Sequence, residues 1–286
     1  MFQPVLTKNA GAVEVEVQDA CLFIFSQGNR SFVPQAFRWM KDSFEGRYAN
    51  YQPIDARYHD FEHTMQGTLC LARLLRCRHE AGAEPKLTQR MFELGVLAIL
   101  LHDTGYLKTK DDTQGTGAKY TVVHVGRSAE FAAKLLAEKN FSATEIKSVQ
   151  NMIRCTGVDA TLSTIPFQSE LERHVGFALG TADLLGQMAA EDYIEKLPVL
   201  YAEFHEAAEY QRDKANYVAM FFSADDLMQK TPAFWDKYVK TKLDRDFGGV
   251  HKFLNRPYPN GANWYLDQIE ANIGKLRRQL STVSAK

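Results

Sequence analysis

The chain has 286 residues, of which 45% are hydrophobic, so it is long enough to bury a substantial core in one large or two small domains. Its 34 Lys and Arg residues almost balance its 35 Asp and Glu residues, which gives a formal net charge of -1. This balance predicts no nucleic-acid polymer as a partner and excludes an acidic disordered chain.

Apolar runs and cysteines indicate the compartment. The longest apolar runs, such as 95–101, are too short to span a bilayer, and the first residues lack the pattern of a secretory signal. The four cysteines form no CxxC pair and do not suggest a disulfide framework. We therefore expect a reduced, cytoplasmic protein with no membrane partner.

Helix start and stop signals recur along the whole chain, whereas the alternation typical of strands is scarce. Capping boxes open helices at Ser142 and Ser169, and Gly82 and Asn140 are placed to end the helices before them. Loops are predicted at 105–120, 156–168 and 257–261. In chain order, the other predicted helices lie at about 33–46, 59–82, 91–102, 125–140, 198–213, 232–246 and 262–282.

No repeat, low-complexity segment or flexible linker divides the chain. We therefore predict a single all-α domain with a C-terminal helical extension. Its parts are an N-terminal helical segment over residues 1–50, a core over 51–195, and an extension over 196–286 that packs on the core. A fold of this kind carries no chemistry by itself, so the function must be inferred from a site.

Two short motifs carry ligand-type side chains. His59 and His63 are four residues apart, which on one helix separates them by only about 40° and lets both face the same cavity. His102 and Asp103 are adjacent, and adjacent helical residues point about 100° apart. Both can face one site only if the helix ends there, and the following Gly105 favours such a break.

A third position adds a carboxylate. Asp183 is a lone acidic residue in an apolar, small-residue helical segment, where an unpaired charge would be costly unless it bound a cation. It could instead cap a helix or pair with an arginine. Taken with His63, His102 and Asp103, it predicts a site for one or two divalent ions, namely Mn, Fe, Ni, Zn or Mg.

A His, then His-Asp, then a distal Asp in an all-α setting resembles the HD-domain metal-dependent phosphohydrolase superfamily. The motif Tyr58-His59-x-x-x-His63 is also similar to the opening motif of the class I cyclic-nucleotide phosphodiesterases. The resemblance covers about residues 55 to 190 and implies an HD/PDEase-like core. It differs at Asp60, where those enzymes have Asn, and at Tyr106, where they have another His.

The resemblance implies roles for individual residues. His63, His102, Asp103 and Asp183 would bind the first metal ion. Asp103 would also bridge to a second ion, and His59 would be the general acid.

A second ion would need further ligands. The resemblance makes His124, at a predicted helix start, the candidate, although it could instead make only backbone contacts there. Where some relatives have another His, this chain has Cys155, which could bind a metal but is more typical of a packing residue. His174 is excluded as a ligand because nine residues of helix before Asp183 would turn it to the opposite face.

Candidate substrate contacts lie nearby. Lys108, with Lys110 and Lys119, flanks the loop after His-Asp and could bind phosphate, or be a solvated loop lysine. Gln187, one turn beyond Asp183, could bind substrate or orient a ligand. The remaining histidines lack partners at ligand spacing and are expected on the surface; they are His79, His205 and His251. Aromatic residues of the last third could line a pocket or form core; they are Phe221, Phe222, Trp235, Trp264 and Tyr265.

These patterns predict a metal-dependent phosphohydrolase, either a phosphodiesterase or a phosphomonoesterase. It would cleave a small, nucleotide-like phosphoester with metal-activated water. Two alternatives stay open: a di-iron HD-type oxygenase, and a catalytically silent nucleotide-binding regulator. The expected partner is therefore a small phosphoester, and a homodimer is left open.

Overall fold

A computed structural model describes residues 2–158, 160–211 and 220–284. Those residues contain ten α-helices and no β-strand, because their few backbone bridges are isolated, so the all-α prediction is confirmed. None of the described helices combines the length and apolar composition that a membrane crossing requires. The helices are α1 (Ala10–Ile24), α2 (Phe32–Phe44), α3 (Phe61–Glu80), α4 (Gln89–Leu101), α5 (His124–Glu138), α6 (Ala143–Ile153), α7 (Glu170–Met188), α8 (Tyr193–Gln211), α9 (Ala224–Ala233) and α10 (Trp264–Ser284).

Two regions differ from the predicted helices. The segment predicted as one helix over 232–246 instead continues from α9 as two π-helical turns, Phe234–Val239 and Lys242–Asp246. Pro232 lies in the last turn of α9, where it cannot donate a helical hydrogen bond. The last two residues of the helix predicted at 198–213 lie outside the described residues.

Helix α1 lies within the predicted N-terminal helical segment and has no helix of its own among the predicted ones. Val and Glu alternate over 13–17, which is the pattern typical of a strand. The Asn9 side chain caps this helix by accepting hydrogen bonds from the backbone N–H groups of Gly11 and Ala12. Val13 and Val17, one helical turn apart, are fully buried. Burial of this one helical face stabilises a helix here instead of a strand.

Helices α3 and α7 cross at the centre of the molecule, and glycines allow the close approach. A Cβ atom added at Gly186 of α7 would lie 2.7 Å from the Gln66 carbonyl group and 2.8 Å from the Gly67 nitrogen of α3. Only a residue without a side chain fits there. The crossing brings the first turn of α3, with His63, next to Asp183 of α7.

Helix α4 ends where the sequence predicted. Leu101 is its last residue, His102 is its C-cap, and a 3₁₀ turn, Thr104–Tyr106, follows Asp103. A Cβ atom at Gly105 would lie 2.0 Å from the His124 carbonyl oxygen, so glycine allows the start of α5 to pack against this turn. The end of α4 and the close approach of α5 together place His102, Asp103 and His124 in one region.

The C-terminal part of the chain is continuous with the core. The boundary predicted between residues 195 and 196 falls inside α8, which begins at Tyr193. In α10, the Asn272 amide donates hydrogen bonds of 2.9 and 2.8 Å to the carbonyl oxygens of Met188 and Ala190. These carbonyls lie at the C-terminus of α7, where helical partners are lacking, so α10 stabilises the end of the helix that carries Asp183.

We expect Gly186→Ala to lower the free energy of unfolding by about 1–3 kcal/mol, because the new methyl group would overlap the backbone of α3. Urea denaturation measures this change. Gly126→Ala in α5 is the matched control, since nothing lies within 4 Å of its added Cβ atom. The control should gain roughly 0.5–1 kcal/mol from its helical position. Equal stabilities of Gly186→Ala and the parent protein would contradict the close-approach argument.

Candidate metal centre

Four predicted ligand residues meet in the interior. Ligand atoms of His63, His102 and Asp103 all lie within 4.8 Å of one another, and all three residues are buried. Asp183 joins them, because its Oδ1 atom lies 3.3 Å from Nε2 of His63 and 3.4 Å from Nε2 of His102. The fold therefore brings together side chains from α3, the end of α4, and α7.

The protonation of His102 leaves a lone pair directed at carboxylates. Its Nδ1 atom lies 2.7 Å from the Ile99 carbonyl oxygen, which can only accept, so Nδ1 carries the hydrogen. In the neutral ring, Nε2 is then an acceptor, and it lies 3.3 Å from Oδ2 of Asp103. Both atoms are buried and have no hydrogen-bond partner among the described residues. Two buried acceptors that face each other repel unless a proton or a metal ion lies between them.

The spacing of these atoms fits a shared cation. Nε2 of His63 lies 3.2 Å from Oδ2 of Asp103, although this contact does not have hydrogen-bond geometry. Two atoms that each lie about 2.1 Å from one ion are separated by about 3.0–3.5 Å when their angle at the ion is near 90–110°. The four distances of 3.2 to 3.4 Å fall in this range.

The electrostatic potential of the cluster favours positive charge. Burial opposes a charge on His63, but its contacts with Asp103 and Asp183 outweigh burial and raise its pKa to about 10. Burial likewise opposes ionisation of Asp183, but the two imidazoles outweigh it and lower the pKa of that carboxyl. Groups that stabilise a proton this strongly also stabilise a metal ion in the same place.

His124 lies on the other side of Asp103. Helix α5 begins at His124, as predicted, and its Nε2 atom lies 3.9 Å from Oδ1 of Asp103. Its Nδ1 atom lies 2.6 Å from the Thr121 carbonyl oxygen, so Nδ1 carries the hydrogen and Nε2 faces the carboxylate. Burial lowers the pKa of His124, which favours the neutral ring that binds metals. Thus Oδ2 of Asp103 faces two imidazoles, and Oδ1 faces a third.

His59 is near the cluster, but the predicted reason for its position was wrong. Helix α3 begins at Phe61, so His59 precedes the helix and does not share its face with His63. The side chain of Asp60 accepts a hydrogen bond of 2.8 Å from the His63 backbone N–H and caps the helix at this point. The rings of His59 and His63 still lie 5.3 Å apart, because tertiary contacts position His59.

Glu203 of α8 is a polar contact of His59 that no sequence motif predicts. One carboxylate oxygen lies 2.6 Å from Nδ1 of His59, and the other accepts 2.7 Å hydrogen bonds from the N–H groups of Arg57 and Tyr58. Glu203 is only 4% exposed. Burial alone would raise its pKa, but His59 and these hydrogen bonds outweigh burial and lower it. Glu203 therefore fixes the segment before α3 and orients the His59 ring.

Two further residues support the centre. The Tyr58 hydroxyl donates a 2.8 Å hydrogen bond to Gln187, whose amide nitrogen lies 3.4 Å from Oδ1 of Asp183. Gln187 thus orients the Asp183 carboxylate, and it also lines a cavity beside the cluster. Tyr106 stacks on both His59 and His124, with ring centroids 4.4 and 4.8 Å away, and the two imidazole centroids lie 6.0 Å from each other. The three rings therefore contact one another beside the cluster.

A cavity of about 620 Å³ adjoins the cluster. His63, Asp103 and Asp183 form part of its wall, together with His59 and His124. The polar groups of the centre are therefore accessible to a small molecule.

The predicted phosphate contact Lys108 does not fit its position. Lys108 is absent from the cavity wall, and its amine bonds to the Gly115 carbonyl oxygen at 2.6 Å and to Asp55 at 2.8 Å. Lys119 is also buried and pairs with Asp112. Both lysines hold the 105–120 loop in place, so they are neither phosphate ligands nor solvated residues. Lys110 alone of the three is exposed.

Other predicted positions are resolved by burial. Cys155 is fully buried, its thiol lies 3.6 Å from the Asn151 carbonyl oxygen, and burial raises its pKa, so packing explains it better than metal binding. His174 lies near Glu170 on α7, with Nε2 and the carboxylate 3.7 Å apart. His79 and His205 are exposed as expected, but His251 is buried, which corrects that prediction. Among the aromatic candidates, Phe221 lines the cavity, whereas Trp235 and Tyr265 are core residues.

The fold and site define an all-helical protein with a buried His-Asp cluster beside a cavity. A family model described as Npun_R2479-like matches residues 44–247. The match spans most of the chain, and the protein therefore belongs to the Npun_R2479-like family. No curated protein sequence matches the chain. The matched region includes both Tyr58 and Glu203, so it contains the centre and its support from α8.

We expect the parent protein to bind Mn²⁺ or Zn²⁺ and Asp103→Ala to lose this binding, because Asp103 contacts three imidazoles of the cluster. At a free ion concentration 100 times Kd, binding should stabilise the parent by about 2.7 kcal/mol. Thermal denaturation with and without the ion, and metal analysis after dialysis, measure the effect. Asp111→Ala, at an exposed loop carboxylate, should behave like the parent. Equal metal content in Asp103→Ala and the parent would rule out this centre.

Proposed function

We propose that this protein is a metal-dependent phosphohydrolase of the HD-domain type, which cleaves a small phosphoester with metal-activated water. The observation that carries the proposal is the pair of buried, unpartnered acceptors, Nε2 of His102 and Oδ2 of Asp103, in a cluster that opens on a cavity. Such a pair is stable only with a proton or a metal ion between its atoms, and the spacing of the four ligand residues fits a metal ion. The similarity of the Tyr58–His63 segment to the phosphodiesterase motif supports the choice of phosphoesters, and of nucleotide-like ones as the first to test.

The residues of the cluster divide into two groups around Asp103. His63, His102, Asp103 and Asp183 would hold one divalent ion, and His124 with the second oxygen of Asp103 would contribute to holding another. A bound divalent ion lowers the pKa of a coordinated water from 15.7 towards about 7 and neutralises phosphate oxygens. Gln187 keeps the Asp183 carboxylate directed at the imidazoles.

His59 is suited to protonate the leaving group. Its Nδ1 atom bonds to Glu203, which leaves Nε2 to donate to an ester oxygen in the cavity. The Glu203 carboxylate fixes the orientation of the ring, as an acidic partner does for other catalytic histidines. His59 is not a member of the ligand cluster, so donation from it does not compete with metal binding.

The test is metal analysis of the purified protein, coupled to assays with 3′,5′-cyclic nucleotides, nucleoside monophosphates and bis(p-nitrophenyl) phosphate. Hydrolysis should require Mn, Ni or Zn, stop with a chelator, and return when metal is restored. Two results would contradict the proposal and favour the alternatives. Iron content with oxygen consumption would indicate the oxygenase, and tight nucleotide binding without turnover at any metal concentration would indicate the regulator.

We expect His59→Ala to retain bound metal but to lose about 10²–10⁴-fold in kcat on esters with poor leaving groups. The loss on p-nitrophenyl esters should be much smaller, because p-nitrophenolate leaves without a proton. Glu203→Gln should show the same pattern more weakly, since it acts by positioning His59.

Glu195→Gln, an exposed carboxylate on the same helix, is the control and should leave both rates unchanged. If His59→Ala also lost its metal, the division of roles between His59 and His63 would be wrong.

A further inference from the structure

Away from the metal centre, the cavity wall consists mainly of apolar side chains. They come from α7, from α8 and from the segment around α9. These apolar lining residues include Leu184, Met188, Leu197, Leu200, Phe204 and Phe221. The rings of Phe204 and Phe221 stack with centroids 5.4 Å apart and planes inclined by only 27°, which forms a broad apolar face.

Four of the five threonines of the wall add little donor capacity. The hydroxyl groups of four lining threonines donate to backbone carbonyl oxygens three or four residues earlier, at 2.6 to 2.9 Å. They are Thr121, Thr156, Thr164 and Thr231. Their donors are therefore already used, and a ligand with many hydroxyl and amide groups would leave some of its own unsatisfied.

Positive charge in the wall is limited. Apart from the histidines, Arg154 and Lys230 are the basic residues among the described residues that line the cavity. Lys230 is neutralised by Asp226, with the amine 2.8 Å from the carboxylate. Among the described residues, the side chain of Arg154 contacts the neutral Asn151, at 3.4 Å, so its charge can serve a ligand. One such guanidinium in the same cavity wall suits one phosphate group, whereas a polyphosphate chain needs several cations.

The cavity also has exposed apolar residues in its wall. Val122, Val158 and Met220 line it and are 55%, 50% and 59% exposed. Single exposed apolar residues are common on protein surfaces, whereas three in the wall of one cavity suit an apolar ligand. The wall is thus apolar both at these exposed residues and at the stacked Phe204 and Phe221 rings.

We propose that the site takes a phosphoester with a single phosphate group and an extended apolar organic group, such as an alkyl or prenyl chain. The phosphate lies at the metal centre, Arg154 supplies a further positive charge from the same cavity wall, and the apolar group lies along the Leu200, Phe204 and Phe221 wall. The phosphate end of this assignment rests on the proposed function. The apolar end rests on the wall alone, and it places nucleosides and sugars at a disadvantage because their polar groups lack partners there.

The first experiment measures binding rather than turnover. Isothermal titration of the Mn²⁺-loaded full-length protein with n-alkylphosphonic acids of increasing length should show Kd falling about threefold to fourfold for each methylene, as about 0.8 kcal/mol per buried CH₂ implies. Adenosine monophosphate should bind more weakly than the longer alkylphosphonates. A Kd independent of chain length, with adenosine monophosphate binding more tightly, would overturn the inference.

Wall variants localise the effect. Leu200→Gln and Phe221→Ser change half-buried residues of the cavity wall and should flatten the dependence of Kd on chain length. Leu6→Gln is the matched control, because Leu6 is 67% exposed and outside the cavity wall, and it should keep the parent dependence. Unchanged metal content in the variants shows that the fold is retained. A parent-like dependence in both wall variants would contradict the assignment.

A second assay separates this inference from the proposed function. Hexyl phosphate and ribose 5-phosphate are both phosphomonoesters of primary alcohols, so their leaving groups are similar and their polarity differs. Together, the two proposals predict hydrolysis of both esters with kcat/KM higher for hexyl phosphate, whereas the proposed function alone predicts hydrolysis without this preference. Chain-length-dependent phosphonate binding without hydrolysis of any ester would refute only the hydrolase assignment. Hydrolysis that favours ribose 5-phosphate or nucleotides, with no chain-length effect, would refute only the apolar substrate.

Discussion

The structure depends on a cluster of acceptor atoms buried where the helices cross. Burial of a carboxylate or an imidazole lone pair without a partner costs several kcal/mol, so such atoms need a proton, a hydrogen-bond donor or a metal ion as compensation. Here that cost falls in the core, between α3, α7 and the end of α4. The glycine contact of α7 on α3 and the Asp60 cap of α3 bring the ligand atoms within reach. The same helix contacts therefore determine both the packing of the core and the geometry of the centre.

Support for the centre comes from a part of the chain far away in sequence. Glu203 lies 144 residues after His59, and its two oxygens hold both the imidazole and the backbone of the segment before α3. Glu206, one turn further along α8, accepts from the Thr116 hydroxyl at 2.6 Å and fixes the 105–120 loop. Helix α8 thus holds both the segment before α3 and the 105–120 loop in place. A division of the chain at residue 195 would cut through the helix that completes the site.

The two ends of the cavity have different physical characters. At one end, fixed charges and imidazoles suit a metal ion and an anionic group. These groups do not select among the organic groups that could be attached to the anion. Along the rest of the wall, apolar side chains and threonines with used hydroxyls select by exclusion of polar groups. Under the proposed function, reaction class and substrate choice would therefore depend on different residues, which is typical when a common fold serves several reactions.

The sequence by itself determined what depends on neighbours along the chain. The all-α class, the end of α4 at His102 and Asp103, and the start of α5 at His124 follow from capping and local spacing. The tertiary structure alone decided which distant groups pair: Glu203 with His59, and Lys108 with Asp55. It also decided that Leu200 and Phe221 face a cavity. The physical reason is that helical periodicity marks an apolar face but does not say whether that face meets another helix or an open space.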